Sequence, residues 1–112
     1  MNVQTIVNQL ESFAPLAFQE DFDNCGLLIG NSNQTVEGIL ICLDVTEAVV
    51  DEAITTKHNM IVCHHPLIFK GLKSLTGRNE VERCVMKAIK HDIVIYAAHT
   101  NLDSAPDGVS FR

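Results

Sequence analysis

Residues 38–66 read GILICLDVTEAVVDEAITTKHNMIVCHHP, and this stretch decides the fold. Its first part, Gly38-Ile39-Leu40-Ile41-Cys42-Leu43, is a continuous apolar run, the pattern of a strand buried on both faces. Asp44 follows, with Glu47 three positions on. That capping-box pattern predicts a helix from there to about Lys57. Met60-Ile61-Val62-Cys63 then reads as a second buried strand.

Downstream, Asn79 and Glu82 repeat the capping pattern, and Val81, Cys84, Val85, Ala88 and Ile89 form a helical apolar stripe. Ile93 to Ala98 is a third buried strand. Upstream, Val3, Ile6, Val7 and Leu10 recur at helical spacing, which predicts a helix over residues 3–13. Leu27-Leu28-Ile29 lies between Gly26 and Gly30 and reads as a short strand or edge piece. Residues 31–34 are a turn by composition. Strands alternating with helices predict an α/β fold, with a mainly parallel sheet and helices on both faces. Lys57-His58-Asn59 and Lys90-His91-Asp92 sit where the second and third helices should end, so they read as helix termination.

The chain has 112 residues, 46% of them hydrophobic and 20% charged, which suits a single α/β domain over 1–112. A net charge of −6 argues against direct nucleic-acid binding, which calls for a basic surface. No apolar run approaches the ~18 residues of a membrane span. Residues 1–5 lack the basic and apolar blocks of a signal peptide, so a cytoplasmic setting with reduced thiols is expected. No C-x-x-C pair exists. Cys42, Cys63 and Cys84 fall in apolar patterns and read as small buried hydrophobes.

In open parallel sheets, ligands bind beyond the carboxyl ends of the strands. Here the first predicted strand ends in Asp44, the second in His64-His65-Pro66, and the third in His99-Thr100-Asn101-Leu102-Asp103. Neighbouring side chains on a regular strand point to opposite faces, so His64 and His65 share one site only if the chain leaves the strand there. Pro66 favours that departure. Asp103 can approach from the neighbouring strand end. Two imidazoles and a carboxylate form a common open ligand set for a divalent metal, so His64, His65 and Asp103 are the candidate ligands. His99 and Asn101 either orient a ligand from behind that set or cap the turn. Asp44 reads as a helix cap. Lys70, Lys73 and Arg78 lie in the loop after Pro66 and either meet an anionic ligand or are solvated. Leu67, Ile68, Phe69 and Leu72 are apolar for a loop and either cover the site or meet another chain. A dinucleotide fingerprint, a P-loop and a nucleophile elbow are absent.

Three segments carry a resemblance: Asp23-Asn24-Cys25-Gly26-Leu27-Leu28-Ile29-Gly30, Cys63-His64-His65-Pro66-Leu67-Ile68-Phe69, and Ala98-His99-Thr100-Asn101-Leu102-Asp103. They resemble, in order and spacing, the D-N-x-G-L-x-x-G, H-H-P-x-x-F and H-T-x-x-D motifs of the Nif-three-like family, whose members are often called GTP cyclohydrolase 1 type 2 homologues. The resemblance implies an α/β protein with two divalent metal ions, assembled as a homohexamer; mixed imidazole and carboxylate ligands suit Zn, Fe, Mn, Ni or Co. It places His64, His65 and Asp103 at the family's N-terminal ligand positions. It implies hydrolytic opening of the guanine imidazole ring of GTP by a metal-activated water. A metal-binding interaction or metal-handling role without turnover is the alternative. The family takes its remaining ligands from an H-x-x-x-E pair near its C-terminus, and none follows Asp103. Residues 108–112 also read as the approach to a further element. The chain is therefore expected to be the N-terminal portion of a longer dinuclear-metal protein.

Overall fold

The computed structural model describes residues 1–13, 26–68 and 72–98. It contains helix α1 (Val3–Phe13), strands β1 (Gly26–Ile29) and β2 (Ile39–Cys42), helix α2 (Glu47–Thr56), strand β3 (Met60–Cys63), helix α3 (Glu80–Lys90) and strand β4 (Val94–Ala97). The strands form one sheet in the order β1-β4-β3-β2. Strands β2, β3 and β4 are parallel, with Cys42 opposite Cys63 and Cys63 opposite Ala97. Strand β1 runs antiparallel to β4 and carries an irregularity between Leu27 and Ile29. The sheet is therefore mixed. An apolar run does not encode strand direction, and an antiparallel edge strand on a parallel sheet is common in α/β folds.

Helices cover both faces, unequally. On one side α2 and α3 contribute Val50, Ala53, Cys84, Val85 and Ala88 to a core shared with Ile61, Cys63, Ile95 and Ala97. On the other side α1 packs Val3, Ile6 and Val7 against Met60, Val94 and Tyr96. A helix is about 10 Å across and strands lie about 4.8 Å apart, so one helix covers about two strands. That arithmetic explains the main departure from the sequence reading. Every residue of β4 is buried, but β2 is an edge strand with alternating exposure. Its Leu40 and Cys42 pack towards α2 and α3, while Ile41 is 79% exposed on the side α1 does not reach. The expected burial of β2 on both faces, and full burial of Cys42, does not hold.

The helix ends also differ in detail. Thr46, not Asp44, caps α2, its hydroxyl accepting from Val49 N at 3.2 Å. Asn79 caps α3 as expected, accepting from Glu82 N at 2.9 Å. The Glu82 carboxylate turns outward from that box and accepts from the backbone N–H groups of Thr76, Gly77 and Arg78, each at 3.1 Å. It is 3% exposed and organises the turn that leads into α3. Ile89 lies outside the buried stripe, because one further residue rotates it about 100° from Ala88, onto the exposed side with Met86. Lys57 and His91 terminate α2 and α3, in keeping with their reading as helix ends.

Gly30 shows why a glycine follows β1. Its φ is +116°, and a Cβ there would stand 2.7 Å from Val94 Cγ2. Gly30→Ala should therefore cost about 2–4 kcal/mol in chemical denaturation, combining backbone strain with overpacking against β4. Glu82 makes a pH-dependent contribution. The backbone N–H groups of Thr76 and Arg78, then the Arg78 guanidinium, hold its carboxyl at about 2 against an ordinary 4.5. Its stabilisation is thus complete above pH 4.5 and lost as pH falls towards 2. Glu82→Gln should lower the melting temperature at neutral pH, and the gap to wild type should close through that window.

Candidate metal centre at the strand ends

Because β2, β3 and β4 are parallel, their carboxyl ends share one edge of the sheet. Pairing continues past the strands. His64 N donates to Cys42 O at 3.1 Å, His65 N to Leu43 O at 2.9 Å, and Ala98 N to Cys63 O at 2.9 Å. The residues after each strand are therefore held side by side by backbone register. β3 ends at Cys63, and the chain bends at His64 and His65 ahead of Pro66. With the strict alternation of the strand lost, the two imidazoles lie together, ring centroids 4.9 Å apart and planes at 62°.

Asp44 joins them. Its Oδ1 lies 2.7 Å from His65 Nδ1. Sequence reasoning missed this contact, because the Asp44–Glu47 spacing reads as a capping box. The signal was nevertheless present. Asp44 follows β2 just as the histidine pair follows β3, and Thr46 offers an alternative cap two residues on. The carboxylate also acts on its surroundings: burial, and then the Asp44 charge, push the Cys42 thiol up from its usual range.

His99, Asn101 and Asp103 lie outside the described residues, as do Phe69 and Lys70. Among the described residues, no three His, Cys, Asp or Glu side chains are grouped to hold a metal ion. The two imidazoles present at the edge are nitrogen donors of the kind divalent metals accept, and the Asp44 carboxylate lies against one of them. Of the loop cations, Arg78 is committed to Glu82 Oε2 at 3.2 Å and to Ser74 Oγ at 3.0 Å, while Lys73 is exposed. Of the loop's apolar residues, Leu67 is buried in the α2–α3 core, Ile68 packs against it, and Leu72 is exposed. His58 and His91 sit at the opposite edge of the sheet. They line a cleft there with Glu37 and Asn59, and His58 Nδ1 lies 2.6 Å from Thr56 Oγ1. No described helix is long and apolar enough to cross a membrane.

A sequence model of the family described as Duf34/NIF3 (NGG1p interacting factor 3) matches residues 1–112. A Clostridium acetobutylicum protein named GTP cyclohydrolase 1 type 2 homolog is 42% identical over 110 residues, covering 98% of this chain and 41% of that protein. A Bacillus subtilis protein of the same name is 43% identical over 110 residues, covering 98% of this chain and 30% of that one. Among solved structures, a Bacillus cereus protein related to NIF3 superposes with a TM-score of 0.89 at 46% identity, covering 96% of this chain and 30% of that one. Reduced HcgD from Methanocaldococcus jannaschii gives a TM-score of 0.88 at 30% identity, with 96% and 43% covered. The chain thus spans less than half the length of the relatives it matches.

Cys63 and Cys84 are buried, and burial pushes the Cys84 thiol up to about 11. Neither should react with iodoacetamide at about pH 8 in the native protein, and both should react in guanidinium, as read by peptide mass spectrometry.

Proposed function

Because the chain belongs to the Duf34/NIF3 family, we propose that it supplies His64, His65 and Asp103 to a centre of two divalent metal ions that serves hydrolysis of a nucleotide-like substrate. The observation that carries this reading is the pairing of the His64 and His65 rings, 4.9 Å apart, beyond the end of β3. A chain that kept strand geometry through these residues would send the two side chains to opposite faces. Here the bend brings two nitrogen donors to the edge where parallel sheets bind their ligands.

In this reading His64 and His65 bind metal through imidazole nitrogen and Asp103 through a carboxylate oxygen. His99 and Asn101 orient the ligand set or the substrate. The metals belong to the group Zn, Fe, Mn, Ni and Co, all of which accept such mixed donors. When bound, a divalent metal supplies Lewis acidity for hydrolysis. The printed names of the Clostridium and Bacillus relatives support a GTP-like substrate. The remaining ligands, in this proposal, come from the longer protein of which the chain forms the N-terminal portion, working in the cytoplasm as a homohexamer.

A second reading, a metal-binding interaction or metal-handling protein without turnover, is favoured by one observation. Ile41 and Leu43 expose apolar surface directly beside Asp44, a surface suited to assembly.

Equilibrium dialysis against Co²⁺ or Zn²⁺, with elemental analysis of the retained protein, tests the centre. Wild type should retain metal, and His64→Ala and Asp103→Ala should each weaken retention by more than about tenfold. Equal retention in all three proteins overturns it. GTP turnover by the metal-loaded protein, lost in the same variants, supports the hydrolase. Metal retention without turnover of any nucleotide favours the second reading.

A further inference from the structure

Asp44 is the one acidic residue that the structure brings to the histidine pair by hydrogen bonding among the described residues, and neither the family motifs nor the capping pattern assigns it this place. We propose that Asp44 is a positioning residue for the metal centre: its carboxylate holds the His65 ring by Nδ1, so that Nε2 is the nitrogen given to the metal. The proposal rests on the metal reading above and adds to it the residue that orients one ligand.

Three observations lead to it. First, Asp44 is released from capping duty. Thr46 caps α2, so the Asp44 side chain is not spent on backbone N–H groups of that helix. Second, its place is set by the sheet and not by a flexible side chain finding a neighbour. The bonds from His64 N to Cys42 O and from His65 N to Leu43 O extend the β2–β3 ladder, bringing residue 44 alongside residue 65. Third, the contact has a direction. A carboxylate only accepts hydrogen bonds, so at 2.7 Å the Nδ1 of His65 must carry the proton. In a neutral ring the lone pair then lies on Nε2. A ring fixed in that tautomer is ready to ligate, whereas an unrestrained ring must first be oriented and its proton placed. Metal-ligating histidines commonly donate their other N–H to a carboxylate for this reason.

A purely structural role for the pair fits poorly. His65 is 48% exposed and Asp44 65%, and side-chain pairs so open to solvent add little to folding stability.

The test compares Asp44→Ala and Asp44→Asn with wild type, using the full chain and Co²⁺ or Zn²⁺ as probe. Asp44→Ala should weaken metal binding by about 10- to 100-fold, with Asp44→Asn between it and wild type because an amide oxygen still accepts from Nδ1. Melting temperatures of the metal-free proteins should stay together. Nitrogen-15 spectra of the metal-free protein, at a pH where the ring is neutral, should show His65 protonated on Nδ1 in wild type and shifted towards the Nε2 tautomer in Asp44→Ala. Wild-type affinity in Asp44→Ala, or an Nε2-protonated His65 in wild type, overturns the proposal while leaving the metal centre standing. If His64→Ala and His65→Ala bind metal as wild type does, both the centre and the proposal fall. The tautomer result then separates that failure from a mistaken hydrogen bond.

Discussion

The parallel ladder joining β3 to β2 and β4 is the constraint from which the rest follows. Met60, Ile61, Val94, Ile95, Tyr96 and Ala97 are all fully removed from solvent, the larger of them worth about 1.5–3 kcal/mol each in transfer from water. Such strands survive only when both faces are covered. This is why α1 must lie on one side and α2 with α3 on the other. Parallel pairing also demands that every connection cross from one end of the sheet to the other. The carboxyl ends of β2, β3 and β4 are therefore obliged to share an edge, and Asp44, His64 and His65 inherit their proximity from that obligation.

The same constraint separates a dry interior from a polar rim. Inside, polar groups are satisfied or neutral: Cys63 Sγ donates to Tyr96 O, Tyr96 Oη donates to Glu11 Oε2, and the Cys84 thiol is held protonated by burial. At the rim, the backbone still pairs for one or two residues past each strand while side chains are free of strand alternation. That combination gives precise placement of Asp44 and His65 without burial. Glu82 applies the same economy elsewhere. One buried carboxylate satisfies three backbone donors and shapes the turn before α3.

Much of this was legible in the residues. Helix α1 with its Val3, Ile6 and Val7 face, strands β3 and β4 and the cap at Asn79 all follow from periodicity and capping chemistry. So does the meeting of His64 and His65, because Pro66 marks where the strand must stop. Three features were misread for one common reason. Ile41 looks buried, Asp44 looks like a cap, and Ile89 looks like core, because local pattern carries no information on what lies across from a residue. Ile41 is exposed because β2 is at the sheet edge beyond the reach of α1. Asp44 leaves the cap to Thr46 because the β2–β3 register offers it His65. Ile89 lies just past the strip of α3 that meets the sheet.

The sequence alone determined the strand and helix inventory, the strand-end placement of His64 and His65, and the family to which the chain belongs, because hydrophobic periodicity, turn chemistry and motif spacing are local or one-dimensional properties. Only the tertiary structure decided strand order, which strands are edges, the antiparallel direction of β1, and the pairing of Asp44 with His65. Those depend on residues far apart in the chain, 21 positions in the case of Asp44 and His65. Backbone register, which no single segment encodes, brings them together.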